Sequence, residues 1–176
     1  MLWFTRHLGV DFAIQNGGGI RADLPEGRIT RGLIHEILPF DNSVVVLTLK
    51  GSDVLSLFDY IATIYRGRGA FPQVSEGLNF TIDYAAGRCE DILINGKPIG
   101  PNRTYKIATN SYMANGGDGY KIFLKAIDRF ESSTFQRDVF IKYIKSLDGT
   151  IRPEIKKRIK VGGCAILWAP KRMEGK

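Results

Sequence analysis

Apolar and polar positions change period along this chain in a way that marks separate elements. Residues 2–8 mix apolar and polar positions like the end of a helix, and residues 10–14 read as a strand running into Gln15, Asn16 and three glycines, 17–19. Thr30 suits a helix N-cap, with Leu33, Ile34 and Ile37 at helical spacing behind it, and that helix must stop before Pro39. Residues 40–42 form a turn. Residues 43–49, S-V-V-V-L-T-L, are β-branched and almost continuously apolar, the mark of a strand buried on both faces. Gly51, Ser52 and Asp53 turn the chain and cap a helix from 54 to about 65, whose Val54, Leu57, Phe58 and Ile61 follow an i, i+3, i+4, i+7 pattern.

The second half reads more finely divided. A glycine- and arginine-rich loop at 66–69 precedes one or two strands across 73–84. Asn95-Gly96 between 89–94 and 97–99 is the strongest short hairpin signal in the chain. Residues 104–109 form another strand, which runs into N-S-Y-M-A-N-G-G-D-G-Y at 110–120. A short helix near 122–127, a loop over 128–135 and a helix from about 137 to 147 follow, the last with Val139, Phe140, Tyr143, Ile144 and Leu147 on one face. The segment 153–161 is short and basic. Helices interleave with strands and a hairpin, which leaves α/β and α+β open; an α+β fold, a mixed β-sheet with packed helices, is favoured. The expected division is one domain over residues 1–163 and a basic tail over 164–176.

Charge sharpens that division. From residue 152 to 176, eight Lys or Arg against two Glu carry +6 of the formal +7, so the rest of the chain is near neutral. That argues against a basic nucleic-acid groove across the fold. No apolar run reaches the roughly 18–20 residues that cross a membrane, and residues 1–10 do not form a secretory signal. Cys89 and Cys164 have no spacing that asks for a disulfide.

The candidate chemistry starts with exclusions. His7 and His35 stand in no H-E-x-x-H, H-x-H or D-x-H spacing, so this chain supplies no zinc or dinuclear ligand set, and His35 reads as a surface or packing residue. There is no G-x-S-x-G and no G-x-x-x-x-G-K-[ST]. A dinucleotide fingerprint at the triple glycine fails because Ala22 stands where a third glycine is needed and Pro25 interrupts the following helix. What remains is a binding constellation. Asn16 and Arg21 lie on one glycine loop, Phe40 and Asn42 on a turn, and Tyr112 and Asp118 on the second glycine loop. An arginine suits a phosphate, two aromatics suit a flat ring, and an acid suits a ribose diol. Each has a plainer reading too: Phe40 and Tyr112 as core aromatics, Arg21 as a partner of Asp23 or Glu26, Asp118 as a brace for its own turn.

Three of these stretches carry a resemblance. N-G-G-G-I-R at 16–21, L-P-F-D-N at 38–42 and A-N-G-G-D-G-Y at 114–120 resemble, in order and spacing, signatures of the C-terminal domain of 5′-nucleotidases. That family includes UDP-sugar hydrolases and 2′,3′-cyclic-nucleotide phosphodiesterases. L-K-G-S-D-V-L at 49–55 and the strand at 105–109 agree, and the likeness covers roughly residues 11–161. It implies a substrate-recognition domain of a metal-dependent phosphomonoesterase, partnered by an N-terminal metallophosphoesterase domain that holds two divalent ions, zinc, manganese or similar. Carried over by position, Phe40 and Tyr112 match the aromatics that clamp the base, Asp118 the acid on the ribose hydroxyls, Arg21 an arginine near the phosphate, and Asn16 and Asn42 polar contacts near the base. The family usually has Phe where Tyr112 stands. The ligand implied is a nucleotide or nucleoside of the adenosine or AMP kind, with no nucleic acid and no membrane span. The full-length protein is implied to be periplasmic or extracellular, and the chain alone is expected to be inactive. The other readings are a stand-alone, non-catalytic nucleoside or nucleotide binder and a basic surface-binding module that acts through its tail.

Overall fold

The computed structural model describes residues 1–147 and 150–162. Among the described residues, nine strands form two sheets. The first has the order β3 (Pro72–Val74), β1 (Phe12–Asn16), β7 (Thr104–Asn110), β2 (Ser43–Lys50) and β8 (Asp128–Phe135). The second has the order β6 (Lys97–Pro98), β5 (Arg88–Ile94), β4 (Leu78–Asp83) and β9 (Ile159–Gly162). Both are mixed: β1 runs parallel to β7, and β4 parallel to β9, while every other pair is antiparallel. The architecture is the α+β class that the pattern favours, with two sheets where one was expected.

β2 sits between β7 and β8 and is buried on both faces, as its continuous apolar run requires. Val45, Leu47 and Leu49 point into the main core, and Val46 into a smaller cluster with Ala13 and Ala108 on the opposite face. Helix α3 (Gly51–Ala62) lies in the main core, its Val54, Leu57, Phe58 and Ile61 packed among side chains of both sheets. Phe58 meets Phe80 of the second sheet edge-on, with centroids 5.0 Å apart. Three helices cover the other side: α1 (Leu2–Thr5), α2 (Arg31–Ile37) and α5 (Gln136–Lys145). Ile34, Ile37 and Leu38 pack there with Phe140, Ile141 and Ile144, and Trp3 meets Tyr143. The Thr30 hydroxyl accepts the Leu33 amide at 3.2 Å, the N-cap that its position called for.

Several boundaries differ from the sequence expectation. Residues 128–135 are not a loop but strand β8, which pairs with β2 as the edge of the first sheet. Its polar face is exposed, so the hydrophobic signal is weak; backbone pairing, not burial, defines it. β1 begins two residues later than expected and runs through Asn16. α3 starts at Gly51, so the expected turn is its first turn, and it ends at Ala62. The helix expected near 122–127 is a 3₁₀ segment, Lys121–Lys125. Residues 164–176 and the boundary expected at 163 lie outside the described residues.

Candidate functional site

The strand directions gather the loops. β1 and β7 are parallel neighbours, so their C-terminal ends lie at one edge of the first sheet. Those ends deliver the two glycine segments, Gly17–Gly19 after Asn16, and the short helix α4 (Ser111–Ala114) with the turn Gly117–Gly119 after Asn110. β2 is antiparallel to β7, which brings its N-terminal end, and the 40–42 turn before it, to the same edge. β3 begins there opposite Asn16, and β8 ends there opposite Ser43. Open sheets favour ligand sites at such carboxyl ends because loops diverge from them.

Three buried amides fix the junction. Gln15, Asn16 and Asn110 are each less than a tenth exposed. Asn110 Nδ2 donates to Asn16 Oδ1 at 3.0 Å, and Asn110 Oδ1 accepts the Met113 amide at 2.8 Å, capping α4. With its oxygen engaged, Asn16 directs its Nδ2 to Asp118 Oδ2 at 2.7 Å. The other carboxylate oxygen, Oδ1, accepts the Tyr112 hydroxyl at 2.9 Å, and that hydroxyl accepts the Asp118 amide at 3.2 Å. Asp118 itself is left-handed, with φ 52°, a conformation that a non-glycine residue holds only when its surroundings fix it. Tyr60 of α3 donates its hydroxyl to the Asp118 carbonyl. Tyr60 meets Tyr120 edge-on, and the Tyr120 hydroxyl donates to the Ala70 carbonyl at 2.7 Å. Small residues are needed around this acid. A Cβ on Gly117 would lie 2.6 Å from the Tyr112 ring, and Gly119 combines φ 82° with the Tyr60 phenol in the space a Cβ would take.

The tyrosines register this packing. Tyr112's hydroxyl is held above its ordinary pKa, first by its bond to the Asp118 carboxylate. Burial, then the Asp118 charge, raises Tyr60, and burial raises Tyr120. At Cys89, outside this site, burial and then the charge of Asp59 push the half-buried thiol up to about 12.

Of the six residues singled out from the sequence, Asn16, Tyr112 and Asp118 form one hydrogen-bonded group. Asn42 stands outside that group: the Ser111 hydroxyl donates to Asn42 Oδ1 at 3.4 Å and accepts the Ser43 amide at 3.2 Å. Phe40 and Tyr112 are not core aromatics: they are 49% and 45% exposed, which leaves both rings open to a ligand. The Phe40 carbonyl accepts from Arg137, which also pairs with Asp41. Arg21 is not joined to Asp23 or Glu26 by any ion pair among the described residues. Its amide donates to the Ile37 carbonyl at 2.9 Å, and its guanidinium reaches the Gly18 carbonyl at 3.5 Å. It lines a separate cleft beside the first glycine loop. Tyr60, Asn110, Ser111 and Arg137 escape sequence reasoning, because their roles depend on pairing partners 58 to 97 positions away.

Residues 3–125 match the family described as 5′-nucleotidase, C-terminal domain. The chain belongs to that family. It is 34% identical over 161 residues to the trifunctional nucleotide phosphoesterase YfkN of Bacillus subtilis, covering 86% of this chain and 11% of that protein. It is 36% identical to UshA of Escherichia coli, covering 64% and 20%, and 33% identical to the NAD 5′-nucleotidase of Haemophilus influenzae, covering 77% and 25%. The fold agrees. A 5′-nucleotidase precursor from Thermus thermophilus superposes with a TM-score of 0.83 at 36% identity, over 92% of this chain and 33% of that one. The Haemophilus influenzae NAD nucleotidase gives 0.75 at 29% identity, over 88% and 30%. The chain therefore spans at most a third of the proteins it is compared with. Among the described residues no group of three or more His, Cys, Asp or Glu could hold a metal ion, and no helix is long and apolar enough to cross a membrane.

Proposed function

We propose that this 5′-nucleotidase C-terminal domain recognises a nucleoside or nucleotide for phosphomonoester hydrolysis carried out with a metal-bearing domain of the same kind of protein. The observation that carries this reading is the Asp118 carboxylate, fixed by Asn16 and Tyr112 on a left-handed turn beside an exposed aromatic face. A carboxylate held this way accepts two neighbouring hydroxyls, as a ribose presents them. Phe40 and Tyr112 offer flat faces to a base, Asn16 and Asn42 polar contacts near it, and Arg21, on the cleft side of the same glycine loop, a charged fork toward which a phosphate extends. The described residues offer no group that fits the two divalent ions the family implies, and the part proposed for this domain is to bind and orient. The names of the relatives, nucleotide phosphoesterase and 5′-nucleotidase, support a nucleotide substrate. The same likeness supports reading the full-length protein as periplasmic or extracellular.

Calorimetric titration of the chain with adenosine and AMP tests the reading. Binding is expected to be weak and to fall by about 1 kcal/mol or more in Phe40→Ala. Equal affinity in Phe40→Ala and the parent would remove Phe40 from the clamp.

A further inference from the structure

Beside the first glycine loop lies a cleft of about 710 Å³, a volume that suits a small ligand. Its charge is one-sided. Arg21, Arg66, Arg68, Lys156, Lys157 and Arg158 line it, and the single acid on its wall, Glu154, is already paired with Lys156. Among the described residues, none of the other five cations takes part in an ion pair. Five uncompensated charges facing one concavity repel one another, and an anion with several charges relieves that repulsion.

The walls are anchored. The Gly17 amide donates to the Phe71 carbonyl at 2.8 Å and the Gly18 amide to the Gly69 carbonyl at 2.7 Å, which ties the 66–69 loop to the glycine turn. The Arg66 amide donates to the Tyr84 hydroxyl at 3.1 Å. On the opposite wall the Phe80 amide donates to the Arg158 carbonyl at 3.1 Å, just before β9 pairs with β4. Lys157 holds φ 47°, a costly backbone state for a lysine. Cations from three fixed segments thus converge on one space.

We propose that this cleft binds a linear oligophosphate, two or more linked phosphates, either free or as the tail of a nucleotide. Guanidinium forks match phosphate oxygens two at a time, and ammonium groups add charge without fixed direction. A single phosphate could engage only part of the lining. A nucleic-acid duplex would need a basic stripe over the surface, whereas these cations line one small-molecule volume.

The test is titration calorimetry of the full chain with sodium tripolyphosphate at about 0.15 M salt. Arg66→Ser/Arg68→Ser and Lys156→Ser/Lys157→Ser remove one wall each, at exposed positions. Each pair is expected to weaken tripolyphosphate about tenfold or more while adenosine affinity and the melting temperature stay as in the parent. ATP that binds more tightly than either tripolyphosphate or AMP identifies the nucleotide tail as the source; ATP no better than tripolyphosphate identifies the free anion. Either supports the site. No tripolyphosphate binding in the parent, affinity within about twofold of the parent in both double variants, or equal displacement by sulfate would overturn it. Loss of adenosine binding alone, with tripolyphosphate retained, would count against the nucleoside reading and leave this one standing.

Discussion

The Tyr112 hydroxyl occupies one of the two Asp118 carboxylate oxygens that the proposed reading gives to a ribose. Asp118 Oδ1 accepts the Tyr112 hydroxyl at 2.9 Å, and Oδ2 accepts Asn16 at 2.7 Å. A diol reaching both oxygens must displace or share the tyrosine bond. Tyr112→Phe removes this competitor and keeps the ring. A hydrogen bond to a charged group contributes about 1.5–3 kcal/mol when sheltered. Tyr112 is 45% exposed, so about 1 kcal/mol remains after solvent competition, or roughly a fivefold change in affinity. Adenosine should therefore bind the Phe variant about fivefold more tightly, and 2′-deoxyadenosine, which engages one oxygen less, should gain less. The variant also loses the oxygen that accepts the Asp118 amide at 3.2 Å. With Asn16 and Tyr60 still holding the turn, the melting temperature should fall by only about 2–4 °C. Calorimetry with both ligands on both proteins, with a melting curve for each, measures all of this. If adenosine binds the Phe variant no better than the parent while the fold is intact, the hydroxyl does not compete with the sugar and the reasoning fails.

The remaining predictions bear on the same site and on the chain's share of the chemistry. Asp118→Asn should flatten a preference for adenosine over 2′-deoxyadenosine of about tenfold, whereas a residue that only braces its turn would lower the melting temperature and leave the preference unchanged. AMP incubated with the purified chain and Mn²⁺, Zn²⁺ or Co²⁺ should release no phosphate above the metal-only control, because the described residues offer no group of metal ligands; turnover that survives rigorous purification would contradict this. Tyr60, Tyr112 and Tyr120 all titrate above the ordinary value of 10.0 in the fold, so the neutral phenols are favoured there. Their contribution is full below that value and is lost as pH rises through the folded pKa values, so melting temperatures from about pH 9 to about pH 11 should fall, less steeply in Tyr112→Phe.

What could be read from the sequence follows from how local each signal is. The β2 run and the α3 face are local periodicities, and both elements form where the pattern puts them, with α3 shifted to start at Gly51. β8 was illegible because R-F-E-S-S-T-F has no buried face; it exists because β2 offers it an edge. Residues 10–14 mark β1, but its last pairings, Gln15 and Asn16 with Gln73 and Pro72, involve polar residues that no hydrophobic count includes. The candidate site shows the same division. Glycines and isolated polar or aromatic residues mark the loops, but the bond from Asn16 to Asp118 spans 102 positions, and no local pattern encodes it. Arg66 and Arg68 read only as part of a glycine- and arginine-rich loop, and 153–161 only as a short basic segment, because the meeting of the two depends on β9 returning to β4.

That return also explains why the two proposed binding regions can be separate in energy though they share a loop. Gly17–Gly19 has two sides. On one, Asn16 ends β1 and reaches Asp118 through a buried amide pair whose polar atoms have few other partners. On the other, the Gly17 and Gly18 amides are spent on the 66–71 segment, and Arg21 turns toward a cleft whose far wall comes from the second sheet. The first side is fixed by hydrogen bonds in low exposure, where a misplaced group costs about 1–3 kcal/mol, so its geometry resists change and suits recognition of a rigid sugar. The second is fixed mainly in its backbone, with Lys156 paired to Glu154 and Arg21 resting on the Gly18 carbonyl. Its exposed charged side chains keep their rotamers, and it suits a flexible anion whose charges can be met in more than one arrangement. Changes on the cation side should therefore alter anion binding with little effect on Asp118, while a change at Asn16 disturbs the junction that positions both.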